Sequence, residues 1–152
     1  MDLKQEIYKY LTTQQLMSLA TLGNYPWPAI VYFIADTDLN LYFISHPDDL
    51  HCQNILQDNR VAITIFESNQ PNSKDKIGIQ YSGQVEVVNI LEKVKWMVKL
   101  WNKLIAGKNG FRPRPQDLLK VGASRVYRVK PVRIKFFNQA LFPQNDFKLM
   151  EF

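Results

Sequence analysis

The side chains best equipped for chemistry lie in one short stretch, "SHPDDLHC", from Ser45 to Cys52. It holds both histidines of the chain, its only cysteine, two aspartates and a serine. Three kinds of chemistry are open to such a set. A metal site would draw on His46, Asp48, His51 and Cys52, because Asp48 stands three residues before His51 and four before Cys52, spacings that share a helix face. No second cluster completes a tetrahedral set, and neither Cys-x-x-Cys nor His-Glu-x-x-His occurs, so no metal is expected. A nucleophilic Cys52 would need a depressed pKa, which a place on a short helix does not secure. No Gly-x-Ser-x-Gly elbow is present, and a small buried thiol is expected instead. The third chemistry is anion binding. A helix beginning after Ser45 would offer free backbone N–H groups, a serine hydroxyl and the His51 imidazole. Asp48 and Asp49 would repel the anion, so from these residues alone an ordinary capped helix is the better account.

The elements that must position this stretch follow from periodicity. Leu3, Ile7, Tyr10 and Leu11 fall on one face of a helix within residues 2–16. "MSLATL" reads as a strand, "GNYP" as a turn, and Trp27 to Ala35 as one β-branched and aromatic strand. "DTDLN" is a hairpin turn leading to the strand "LYFIS". The next helix is predicted to take Ser45 or His46 as its cap, with Pro47 at its first position. Leu50, Ile55 and Leu56 would form its buried side. Val61 to Phe66 and Lys76 to Val88 are strands, the second with Gly78 and Gly83 marking a bulge or bend. Leu91 to Ala106 is the strongest helix, burying Val94, Val98, Trp101 and Ile105 and exposing Lys95, Lys99 and Lys103 as a solvated stripe. Trp96 and Trp101 are expected in the core or at a subunit interface. "SRVYRVKPVRIKFF" is a strand interrupted at Pro131, and "FKLMEF" a short closing strand. Many strands joined by short turns, with helices beside them, predict an α+β, mainly β domain built on a small antiparallel barrel.

Composition narrows the functional classes. The 152 residues suit one domain, with 46% hydrophobic and 22% charged residues. No apolar run is long enough for a membrane-spanning helix, and no membrane partner is expected. A single cysteine excludes an intramolecular disulfide, and a cytoplasmic location is expected. The net charge of +5 suits an anionic partner, but without a basic run or nucleic-acid motif no nucleic acid is expected. The scattered glycines form neither a dinucleotide fingerprint nor a P-loop.

The order of motifs resembles the pyridoxamine 5'-phosphate oxidase-like, FMN-binding split-barrel family. The likeness runs through "LATL", the proline-ended turn, the Asp-rich hairpin, the strand ending at Ser45, "DNRVAI" and "SGQVE", and extends to "VYRVKPVRIKFFN". "IGIQYSG", "RIKFFNQALF" and His51 resemble a subgroup of small bacterial members. The resemblance implies a six-stranded antiparallel split β-barrel with flanking helices, and a homodimer holding FMN in two clefts between subunits. It also implies that Ser45 and His51 hold the flavin phosphate, while the backbone of Val31, Tyr32 and Phe33 and the side chain of Gln80 lie near the ring. The family's phosphate-binding cations fall here on Ala29, Ile34, Leu50 and His51, so three are lost and one is a histidine. Replacement would have to come from Arg60, Arg125, Arg128 or Arg133. No C-terminal signature for vitamin B6 oxidation is visible. The implied activity is therefore that of an FMN-dependent oxidoreductase on another small molecule. The alternative is a non-catalytic module of the same fold for haem or another flat anionic ligand, with His46 or His51 as the axial ligand.

Overall fold

A computed structural model describes residues 1–152. Helix α1, Leu3–Leu11, begins where the Asp2 carboxylate accepts from the N–H groups of Lys4 and Gln5 at 3.0 and 3.4 Å. It buries Ile7, Tyr10 and Leu11, as the periodicity predicts, but it stops earlier than residue 16. The Thr12 and Thr13 hydroxyls bond back to the carbonyls of Lys9 and Tyr10, which turns the chain into β1, Leu16–Leu22.

The apolar run from Trp27 to Ala35 is not one strand. It forms β2, Pro26–Tyr32, and β3, Ile34–Ala35, with Phe33 between them donating its N–H to the Gln15 carbonyl at 3.0 Å. After a hairpin organised by Asp36, β4 spans Leu41–Ser45. Then follow α2, Leu50–Gln57; β5, Arg60–Phe66; β6, Ile77–Val88; α3, Leu91–Leu104; β7, Arg125–Asn138; and β8, Phe147–Glu151. The strand order is β2-β1-β5-β6-β7-β4-β3, all antiparallel, with β8 against β7. β2 and β3 are therefore the two ends of the path, yet only Phe33 separates them in sequence. That connection requires the sheet to curl round on itself, and it produces the half-barrel. The six strands implied by the resemblance are joined by the two-residue β3 and the edge strand β8.

Two apolar clusters hold the fold. The larger fills the barrel interior with residues such as Leu19, Phe33, Phe43, Ile63, Ile65 and Ile134, closed at one end by α1. The smaller lies outside the barrel, where Val94, Met97, Val98 and Trp101 of α3 cover Ile34, Tyr42 and Val126. β4 is buried on both faces, Leu41 and Phe43 inward and Tyr42 beneath α3, which explains why "LYFIS" is continuously apolar instead of alternating. The bulge foreseen at Gly83 and Pro131 is present. Ser82 faces Arg133 and Gly83 faces Pro131, so Val132 is the extra residue. Only glycine fits at position 83, since a Cβ there would stand 2.4 Å from the Lys130 carbonyl oxygen. No helix is long and apolar enough to cross a membrane.

Candidate functional site

The predicted start of α2 is corrected by the structure. The helix begins at Leu50, and Pro47, Asp48 and Asp49 form a turn ahead of it. Asp49 occupies the capping position, but its carboxylate accepts from the His46 N–H at 3.2 Å and makes no helix-capping bond. The later start rotates the buried face. His51, Cys52, Asn54 and Ile55 are buried, whereas Leu50 and Leu56 are exposed, so of the expected apolar side only Ile55 is right. Asn54 explains the choice. Its amide donates to the Thr21 hydroxyl at 3.0 Å and packs against Gly23, tying α2 to β1.

This rotation brings His51 to Ser45, which sits at the end of β4 and not at a helix terminus. His51 Nε2 and Ser45 Oγ are 2.9 Å apart and both residues are buried. Desolvation by burial lowers the His51 pKa below its ordinary 6.5, against the opposing charge of Asp49, and the imidazole is neutral at pH 7. Burial raises the Cys52 pKa, keeping it a thiol, as expected for a packing residue. His46 bonds elsewhere, with Nε2 2.9 Å from the Gly122 carbonyl and Nδ1 accepting from the Asp48 N–H at 3.3 Å. His46 Nδ1 and Asp48 Oδ2 are 3.6 Å apart while His51 bonds Ser45, and no group of three or more His, Cys, Asp or Glu residues is placed to hold a metal.

Ser45, His46, Asp49, His51 and Ser124 form the polar end of a cavity of 580 Å³. Its walls come from Val31 and Tyr32 of β2, from Trp101 and Ile105 at the end of α3, and from Phe111 in the loop that follows. Tyr32 and Trp101 meet edge-on at 6.2 Å, and Trp101 Nε1 donates to the Phe111 carbonyl at 3.1 Å, which anchors that loop. Of the residues expected near a ligand, Val31, Tyr32, Ser45 and His51 converge here. Phe33 is in the barrel core, 1% exposed, because it is the residue at which the chain crosses between sheet edges. Gln80 lines a different hollow, of 560 Å³, on the open sheet face beside Ser18, Thr64, Ser82, Arg133 and Lys135. Sequence reasoning missed the contributions of Phe111 and Ser124, which lie in irregular segments without periodicity. Trp101 was foreseen as a packing residue, and its place on the buried stripe of α3 was the available signal.

Residues 3–137 match the family described as Pyridoxamine 5'-phosphate oxidase. The chain belongs to this family. No curated protein matches it by sequence. Solved structures carry the same fold at low identity. General Stress Protein 26 from Bacillus anthracis str. Sterne is 15% identical over 100% of both chains, with a TM-score of 0.71. A NimC/NimA family protein from Clostridium acetobutylicum is 15% identical over 98% of this chain and 92% of its own, at 0.69. A heme binding protein from Mycobacterium smegmatis is 13% identical over 97% of this chain and 57% of its own, at 0.73. The barrel of this pyridoxamine 5'-phosphate oxidase family member is thus shared with these proteins at low sequence identity.

Proposed function

We propose that the cleft under α3 binds FMN and that the protein is an FMN-dependent oxidoreductase acting on a small molecule. One observation carries this reading: a cavity of 580 Å³ with an aromatic wall at Tyr32, Trp101 and Phe111 and a hydrogen-bonding end at Ser45 and His51. A flat heteroaromatic ring with a polar tail suits that division, and the volume lies in the usual range for cofactor sites. FMN would supply the hydride chemistry. The protein's part is to orient the ring against the apolar wall, exclude water along it, and offer the tail the Ser45 hydroxyl and a neutral His51. Membership of the pyridoxamine 5'-phosphate oxidase family supports the choice of flavin.

The implied homodimer is part of this reading. Ile30, Trp27 and Tyr32 on β2 are 76%, 49% and 47% exposed, an apolar edge suited to a second copy. Gln80 and the Val31–Tyr32 backbone lie in separate hollows of one chain, so Gln80 would reach a ring in the cleft only from the partner copy. Light scattering of the pure protein should give a dimer mass, and a monodisperse monomer would remove Gln80 from the site. A reducing compartment, the cytoplasm, suits the single buried free cysteine.

A haem-binding module is the second reading. The heme binding protein among the structural neighbours and the two histidines at the cleft's polar end favour it. Against it, Nε2 of each histidine already has a partner. Titration with FMN, followed by flavin fluorescence, should show saturable binding near micromolar that His51→Ala weakens. Absence of binding up to about 1 mM, weaker than roughly −4 kcal/mol, overturns the flavin reading. A haem-type visible band formed on adding haemin, and lost in His51→Ala, would establish the alternative.

A further inference from the structure

The chain has six arginines, and five of them are engaged within the protein. Arg60 pairs with Asp58, Arg114 with Asp117, Arg128 with Glu86 and Arg133 with Glu151, while Arg112 donates to the Gly107 carbonyl. Arg125 alone has neither an ion pair nor a side-chain hydrogen bond, although it is half-buried. Its guanidinium donors are therefore uncommitted and open to a ligand.

Arg125 does not line the cleft itself but adjoins two residues that do, Ser45 and Ser124. Arg125 is the register partner of Ser45 across the β4–β7 ladder, so the two side chains share a face of the sheet. Tyr127, two residues further along that face, stacks on Phe43 at 5.0 Å. Ser124, immediately before Arg125, lines the cavity. Burial raises the pKa of the Cys52 thiol and the Tyr127 phenol, and the positive charge of Arg125 opposes it at both. Asp49 acts on the same two groups with the opposite sign but forms no ion pair with Arg125.

We propose that Arg125 is the cation that binds the phosphate of the cleft's ligand, with the Ser45 hydroxyl beside it. This rests on the flavin reading. A planar fork of N–H donors suits a phosphate better than the neutral His51 can. Asp49 is the counterweight that limits the affinity.

The test is a pair of fluorescence titrations, with FMN and with riboflavin, which has the ring without the phosphate. Arg125→Gln should weaken FMN by roughly ten- to hundredfold and leave riboflavin unchanged, with circular dichroism confirming the fold. Arg125→Lys should fall between. Asp49→Asn, at an exposed residue, should tighten FMN alone, which keeps the idea testable if Arg125→Gln misfolds. An equal loss of both flavins would mean that Arg125 only supports the structure. FMN binding undiminished in Arg125→Gln would overturn the role of Arg125 and leave the flavin reading intact. If the unsubstituted protein binds neither flavin, both fail.

Discussion

The cleft beneath α3 and the hollow on the open sheet face enclose nearly the same volume, 580 and 560 Å³. Their chemistry is opposite. The cleft sets an aromatic wall against a desolvated His51, with an arginine that has no partner next to its Ser45 and Ser124. The hollow has a floor of short side chains, Ser18, Ala20, Ala62 and Thr64, and its cations are already engaged. Arg133 bonds Glu151 at 2.9 Å, and Lys135 stands over the Phe147 ring at 4.2 Å. Volume therefore does not separate the two regions. The state of the polar groups does, because a cation already paired has little left to offer a ligand. One strand, β7, serves both regions, Arg125 on one side of the Val132 bulge and Arg133 and Lys135 on the other.

Trp101→Ala should break the comparison most strongly. It removes a buried ring from both the α3 cluster and the cleft wall, and should cost about 3–5 kcal/mol in urea denaturation together with flavin binding. Leu149→Ala, at the half-exposed rim of the hollow, should stay within roughly 0.5 kcal/mol; a larger loss there would mean that the hollow is a built site. Gly83→Ala forces a Cβ against the Lys130 carbonyl at the bulge that divides β7, and should cost about 1–3 kcal/mol by the same measurement. Flavin affinity per folded molecule should survive that change if the bulge only separates the two regions.

Acid sharpens the contrast more gently. The folded His51 has a depressed pKa, so as pH falls below 6.5 the unfolded chain takes up the proton first. Its contribution to stability is full above pH 6.5 and drains below it, towards the folded value. Thermal melts from pH 7.5 downward should show Tm falling in this window, with the slope reduced in His51→Gln. An unchanged slope would place the acid sensitivity elsewhere, but not in the hollow, which has no histidine. Arg133→Gln should also be small in urea denaturation, since an exposed ion pair contributes about 0–1 kcal/mol.

Much of the architecture was legible because its signals are local. The stripe on α3, the strands β1 and β5, the Asp36 hairpin and the bulge at Gly83 and Pro131 each follow from neighbouring residues. The site was legible only in part. Ser45, His51, Val31 and Tyr32 were read through the family likeness and do share the cleft, whereas Phe33 and Gln80 do not line it. Nothing near Phe33 signals the break, because its cause is the Gln15 carbonyl on the neighbouring segment. Nothing near Pro47 delays α2, because the anchor is Asn54 reaching Thr21, 33 residues away in sequence.

By itself, the sequence determined the order of helices and strands, the apolar faces of α1 and α3, and that one cluster of polar residues stands out. Only the tertiary structure decided what that cluster does. Whether Ser45 meets His51, whether an arginine is free or paired, and which side of α2 is buried depend on contacts between residues far apart in the chain. Such contacts form only once the sheet has curled. Hydrophobic periodicity is a property of a segment, while desolvation and charge pairing are properties of the place to which folding carries it.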